Sequence, residues 1–232
     1  MRIGPQSICT KFEREYLPTP PARQAIAADR APEAFKMLAR VARIMEQLNS
    51  AWDVLRTMTP TDYTTFRWRL GQSSGFQSLQ YRLVEFALGN RQRSMGKPHA
   101  HDPVARAAIE RETARLDLYQ EVLGFAARHG MTVPESRIAA PSTTPTEPDE
   151  GVMAMWAEVY RDVQRHWTLY EMAEKLVDLE DYFRRWRFNH VTTVERVIGF
   201  KRGTGGTAGV EYLRRMLAVE LFPELWHVRT RL

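Results

Sequence analysis

Apolar side chains recur every three or four residues over long stretches of this sequence. From Pro32 to about Met58 this spacing continues without a break, and it returns between about residues 168 and 200. Such spacing places the apolar side chains on one face of an α-helix. The chain therefore contains at least two long amphipathic helices, each of which needs a partner to cover its apolar face.

Further segments with the same periodicity predict more helices, at about 62–69, 75–88, 104–129, 152–167 and 207–221. The segment Thr59-Pro60-Thr61-Asp62 ends one helix and starts the next, because the residue before proline avoids α geometry and Thr or Asp caps a helical turn. Strand signals are nearly absent. We therefore expect an all-α fold, a bundle of packed helices.

Two segments fall outside this pattern. Residues 1–31 lack periodicity and carry PTPP at 18–21, which predicts an irregular N-terminal arm. Residues 135–151, ESRIAAPSTTPTEPDEG, are rich in Pro, Ser and Thr, which is typical of a surface connection. The remaining chain, 32–232, is predicted to form a single all-α domain.

Composition narrows the class of protein. With 232 residues and 44% apolar content, the chain can bury a sizeable core. Its one cysteine, Cys9, excludes an internal disulfide framework and a cysteine-based metal site, and it fits a reducing compartment. Its apolar runs are too short to cross a bilayer, and the N-terminus lacks the apolar centre of a signal peptide. We expect a cytoplasmic protein with no membrane contact.

The net charge of +5 would allow nucleic-acid binding. The arginines recur singly along the predicted helices, a pattern typical of solvated helix faces. We expect no nucleic-acid partner.

One histidine lies on an apolar helix face. His190 is four residues from both Trp186 and Val194, so its imidazole points inward. A core histidine satisfied by a hydrogen bond is the ordinary explanation. A metal site normally needs a second ligand nearby, and Glu195, five residues on, is poorly placed to be one. Haem iron needs only one protein ligand, because the porphyrin supplies four nitrogens.

A glycine-rich segment, GTGGTA at 203–208, follows that helix. Its residues fit the dinucleotide-binding pattern G-x-G-x-x-G/A. That motif works only between a strand and a helix, however, and here a helix precedes it. The backbone amides could still bind a carboxylate, with Lys201 and Arg202 adding positive charge. An ordinary helix-to-helix turn explains the glycines equally well.

Tyr63 and Arg67 lie four residues apart on one helical face. The arginine could form a bidentate pair with the carboxylate of a ligand. Pairing with one of the 28 acidic residues of the chain is the other explanation, and periodicity does not separate the two.

Taken together, these segments resemble the bacterial tryptophan 2,3-dioxygenase family. The resemblance spans roughly residues 23–232 and rests on five blocks: AFKMLARVARIMEQL, MTPTDYTTFR, SSGFQSLQYRLVEFALGN, LVDLEDYFRRWRFNHVTTVERVIGFKRGTGGTAGVEYLRRML and LFPELWHVRTRL. It implies a helical, homotetrameric oxidoreductase with one haem b per subunit. The family inserts both atoms of O2 into the indole C2–C3 bond of L-tryptophan to give N-formylkynurenine, the first step of the kynurenine pathway.

The resemblance also implies roles for individual residues. His190 matches the axial ligand of the haem iron, and Ser74 matches a serine beside the haem. Arg67 matches the residue that pairs with the substrate carboxylate, with Tyr63 next to it. Thr204, in the glycine-rich loop, matches the threonine that fixes the polar end of the amino acid.

The N-terminal part departs from the family pattern. Family members carry a distal histidine before the helix that contains Ala34-Phe35-Lys36, whereas residues 1 to about 22 match nothing in that pattern. We expect a truncated, frame-shifted or divergent start, and we assign no catalytic side chain. His99 and His101 are rejected as substitutes, because the same HAH segment occurs in family members that have the distal histidine.

Three alternatives to an active dioxygenase therefore stay open. The chain could bind haem with impaired turnover, it could be a related haem-dependent aromatic hydroxylase, or it could be a helical interaction protein without haem.

Overall fold

The computed structural model describes residues 21–71, 77–201 and 209–232. Within these ranges all regular structure is helical and no strand occurs, which confirms the predicted all-α class. The α-helices in chain order are α1 (Pro21–Ala27), α2 (Ala31–Leu55), α3 (Pro60–Arg67), α4 (Leu79–Ala87), α5 (Pro103–Thr113), α6 (Leu118–Arg128), α7 (Glu150–Arg161), α8 (Trp167–Val197), α9 (Val210–Leu217) and α10 (Pro223–His227). Short 3-10 segments lie at Trp68–Leu70, Arg93–His99, Glu135–Arg137 and Val228–Arg231.

The two longest helices, α2 and α8, pack along each other and form the centre of the fold. They run in the same direction. Near their starts the Lys175 ammonium lies 5.6 Å from the Phe35 ring, and near their ends Arg56 donates to the Thr193 hydroxyl over 3.1 Å. This alignment brings the C-terminal half of α2 alongside the segment of α8 that carries His190.

The largest fully buried side chains come from α6, α7 and the segment before α10. Trp156, Tyr119, Phe125 and Phe222 are all completely enclosed. The Trp156 indole N–H donates to the Tyr119 hydroxyl over 3.0 Å, so the polar atoms of both rings are satisfied inside the core. This core supports α8 along its N-terminal half, where Leu169, Leu176 and Leu179 are buried.

The boundary between α2 and α3 follows the sequence prediction. Thr59 caps α3 through a capping box, in which its hydroxyl accepts from the Asp62 amide and the Asp62 carboxylate accepts from the Thr59 amide. Pro60 stands in the first turn of α3, where its missing N–H costs nothing. The turn fixes where α3 starts relative to the end of α2.

Two predictions about the elements are wrong. Residues 21–27, placed in the irregular arm, form α1, which packs on α2 and α6 through buried Ala25 and Ile26. The predicted helix over 104–129 is two helices, because Asp117 starts α6 with a second capping box that includes Gln120. The other predicted helices overlap α2, α3, α4, α7, α8 and α9, with ends that differ by a few residues, whereas the short helix α10 was not predicted.

The connection before α7 is irregular apart from the 3-10 turn at Glu135–Arg137, as its composition predicts. No helix among the described residues is both long and apolar enough to cross a membrane.

Candidate functional site

His190 is half-buried in the C-terminal part of α8, where it contacts two indole rings that also contact each other. Its ring lies nearly parallel to that of Trp52 from α2, with ring centroids 5.1 Å apart and planes at 24°. Trp186, one turn earlier on α8, contacts the imidazole at 5.3 Å and 57°. The inward orientation predicted from spacing is therefore confirmed.

The environment of His190 keeps its imidazole neutral. Burial lowers the pKa of His190 to about 4, because the charged form loses its hydration. Within the described ranges no hydrogen bond to either ring nitrogen occurs, so these residues do not supply the satisfying partner of an ordinary core histidine. A neutral imidazole is the form that ligates iron.

Aromatic and charged side chains of α4 lie next to Trp186, which in turn contacts His190. Tyr81 of α4 stacks on Trp186 at 5.2 Å and 28°. Next to it, the buried Arg82 and Glu85 form an ion pair of 2.5 Å. Burial raises the pKa of Tyr81 and of Glu85, while the nearby Arg187 acts in the opposite direction on both. The cluster anchors α4 against the part of α8 that carries the histidine.

Tyr63 and Arg67 are close together on α3, as their spacing predicts. The Arg67 guanidinium carbon lies 5.8 Å from the centroid of the Tyr63 ring, and both side chains are half-buried. Phe66 meets Tyr63 edge-on at 5.4 Å. This end of α3 thus places a cation near the Tyr63 ring, which Phe66 contacts in turn, and a cation beside aromatic rings suits a zwitterionic aromatic ligand.

The structure holds α3 against α8. Arg56, in the link from α2 to α3, donates to Asn189 over 2.6 Å, to Thr192 over 2.9 Å and to Thr193 over 3.1 Å. These three acceptors flank His190 in the sequence. The helix that carries Tyr63 and Arg67 is therefore tied to the turn of α8 that carries the imidazole.

Two predicted site residues, Ser74 and Thr204, lie outside the described residues, as does the glycine-rich loop at 203–208. The described helix α8 ends at Val197, which confirms that a helix and not a strand comes before this loop. Among the described residues, no cluster of three or more His, Cys, Asp or Glu side chains could hold a bare metal ion.

The two histidines rejected as ligands have different surroundings. His99 is buried at the end of the 3-10 segment Arg93–His99, and its Nε2 has no hydrogen-bond partner among the described residues. His101 is exposed. Neither is shown to take part in the site.

Comparison with known proteins identifies the family. The family model of tryptophan 2,3-dioxygenase matches residues 21–123 and 147–232. The chain belongs to the tryptophan 2,3-dioxygenase family. Both matched segments carry residues of the candidate site, with Tyr63 and Arg67 in the first and His190 in the second. The unmatched residues between them include most of the irregular connection before α7.

The tryptophan 2,3-dioxygenases of several bacteria are close relatives. The chain is 64% identical over 209 residues to that of Bradyrhizobium diazoefficiens, an alignment that covers 90% of this chain and 75% of the relative. It is 61% identical over 212 residues to that of Ruegeria sp., with the same coverage. The tryptophan 2,3-dioxygenase of Burkholderia multivorans is 59% identical over 214 residues, which cover 91% of this chain and 68% of the relative.

Sequence reasoning missed two residues of the site. Trp52 lies in the apolar stripe between Pro32 and about Met58, and that spacing predicts only a packed helix face, whereas the structure places the ring against the imidazole. Arg56 carried no signal, because a single arginine near a helix end is common on solvated surfaces. Only the packing of α2 on α8 shows what either side chain contacts.

Proposed function

We propose that this chain is a haem-dependent oxidoreductase. It inserts both atoms of O2 across the indole C2–C3 bond of L-tryptophan and gives N-formylkynurenine. The observation that carries the proposal is His190, a neutral imidazole with no hydrogen-bond partner among the described residues, on the helix against which Tyr63 and Arg67 are held. The chain's membership of the dioxygenase family supplies the reaction.

The residues present fit a haem b with one protein ligand. His190 would hold the iron, and contacts with Trp52 and Trp186 would restrict the orientation of the imidazole. Haem, when bound, supplies the binding and activation of O2, which no amino-acid side chain performs. The low pKa of His190 means that protons do not compete for the ligating nitrogen near neutral pH.

The protein's own part is to bind and orient the amino acid. Arg67 would pair with the carboxylate of L-tryptophan, and Tyr63 and Phe66 would pack against apolar parts of the ligand. Thr204 would fix the polar end of the substrate, and Ser74 would lie beside the haem. These last two roles rest on the resemblance alone.

We further propose a cytoplasmic homotetramer with one haem b per subunit, as the resemblance implies. Exposed apolar side chains on the two central helices support self-association, since Val54 of α2 is 72% exposed and Phe188 of α8 is 57% exposed. The single cysteine agrees with a reducing compartment.

The deciding experiment adds haem to the purified chain under reducing, aerated conditions with L-tryptophan. A Soret band and the absorbance of N-formylkynurenine are expected, with incorporation of two oxygen atoms by product mass. His190→Ala should lose the Soret band, while His101→Ala, a change at an exposed histidine, should keep it.

Other results would favour the alternatives. A Soret band and tryptophan binding without product would indicate a haem-binding relative with impaired turnover. Gain of one oxygen atom would indicate an aromatic hydroxylase. A spectrum that His190→Ala leaves unchanged would contradict the assigned iron ligand.

A further inference from the structure

The orientation of a ligating histidine normally depends on its second ring nitrogen. In most metal sites that N–H donates to a carboxylate, a backbone carbonyl or water, and the hydrogen bond fixes the tautomer and the ring plane. Among the described residues, no carboxylate or backbone carbonyl accepts from a ring nitrogen of His190. The contacts that the described residues do make with the imidazole are ring contacts with Trp52 and Trp186.

The two neighbouring indoles, Trp52 and Trp186, restrict the orientation of the His190 imidazole in different ways. Trp186 belongs to the same helix as His190 and meets the imidazole at 57°, so it limits the ring mainly along one edge. Trp52 comes from α2 and lies nearly parallel to the imidazole, at 24° and 5.1 Å. A flat face in this position opposes rotation of the imidazole out of its plane, because any such rotation drives ring atoms into the indole.

Trp52 is itself held in place. Its ring meets Trp186 edge-on at 5.6 Å and 64°. Trp186 in turn stacks on Tyr81 of α4. One turn after Trp52, Arg56 ties the end of α2 to the three residues around His190. The indole is thus braced by three helices and is not a free surface ring.

The contact that the described residues show for Trp52 is made by its ring and not by its indole N–H. The Trp52 indole N–H is buried, yet no acceptor for it occurs among the described residues. The part of the side chain with an evident contact is its flat face, which covers His190.

We propose that Trp52 is a positioning residue for the axial imidazole, and that its indole face sets the ring plane of His190. This inference rests on the proposed haem ligation by His190. It assigns Trp52 no contact with the substrate and no chemical step. Its effect is on how firmly and at what angle the imidazole holds the iron.

The test compares the haem-loaded wild type with Trp52→Leu, which removes the planar face. Two properties other than turnover are measured: the rate of haem transfer to excess apomyoglobin, and the iron–histidine stretching band of the ferrous protein by resonance Raman. We expect roughly tenfold faster haem loss, as is typical when a residue that supports a metal ligand is removed, with a shifted or broadened band.

Two further variants separate positioning from general packing. Trp52→Phe keeps an aromatic face and should restore both properties most of the way to wild type. Trp167→Leu is the matched control, because Trp167 is exposed at the start of α8, and it should change neither property. Should far-UV circular dichroism show Trp52→Leu to be unfolded, Trp52→Met takes its place, since the flexible thioether fills similar volume without a planar face.

The outcomes distinguish the inference from the function it rests on. A wild type that shows no Soret band with haem overturns the proposed function, and the inference with it. A wild type that binds haem, beside a folded Leu or Met variant with an unchanged band and haem loss within twofold of wild type, overturns the inference alone.

Discussion

Arg56 donates to the side-chain oxygen of Asn189 over 2.6 Å, and this bond joins the end of α2 to α8 one residue before His190. The same guanidinium donates to Thr192 and Thr193, and the carbonyl of Arg56 accepts from Arg196. A single residue in the link between α2 and α3 thus fixes how the helix with the candidate substrate residues sits on the helix with the candidate iron ligand.

We expect Arg56→Ala to lower the free energy of unfolding by about 2–4 kcal/mol, because it leaves the side chains of Asn189 and Thr193 without their charged donor. Urea titration followed by circular dichroism measures this loss. Arg106→Ala is the control, since Arg106 is exposed and lies 3.7 Å from Glu110 in a surface pair of small value. Equal effects of the two substitutions would contradict the role of Arg56.

Arg67→Ala should weaken binding of L-tryptophan by about 2–5 kcal/mol, because the substrate carboxylate loses its fixed cation. This corresponds to at least about a thirtyfold rise in Kd, measured from the change that tryptophan causes in the Soret band. Tryptamine has the indole and the amine but no carboxylate, so its affinity should be nearly the same for the variant and the wild type. A variant that weakens both ligands equally would place Arg67 outside the carboxylate site.

A glycine with positive φ after α4 gives a test of packing. Gly89 has φ +92°, and a Cβ there would lie 3.3 Å from the Asp117 carboxylate oxygen and from the Thr146 hydroxyl. Gly130 has φ +86° with nothing within 4 Å of the same position. Gly130→Ala should therefore cost only the backbone strain, about 1 kcal/mol, whereas Gly89→Ala should cost about 2–4 kcal/mol. Thermal unfolding of the two variants measures the difference in stability. Equal losses of stability would show that the side chains of Asp117 and Thr146 move away from the new methyl group at little cost.

His99 should make the fold less stable at acid pH. Burial lowers the pKa of His99, nearby Arg82 and His101 lower it further, and Asp102 opposes them. Because the folded pKa lies below the unfolded value of about 6.5, stability is complete above that value and is lost as pH falls through it towards the folded pKa. The free energy of unfolding should fall less between pH 8 and pH 5.5 for the His99→Gln apoprotein than for the wild-type apoprotein. If the free energy of unfolding changes with pH in the same way for both proteins, the pKa of His99 is the same in the folded and unfolded states.

The sequence predicted the helices well where periodicity was long and poorly where local signals were short. The spacing of apolar residues identified α2 and α8, and Pro60 with Thr59 identified the start of α3. The break between α5 and α6 was missed, although the Asp117 capping box is visible in the sequence as D-x-x-Q. Helix α1 was missed because seven residues are too few to show a period.

Residue spacing and identity alone were enough to predict the helical class, the inward face of His190, the shared face of Tyr63 and Arg67, and the family. Each of these depends on spacing along one helix or on residue identity, which the chain carries locally. That Trp52 covers the imidazole and that Arg56 links the start of α3 to α8 became evident from the packed fold. Those contacts join residues more than 130 positions apart. They exist because α2 and α8 run side by side in one direction, and the packing of the whole core determines that arrangement.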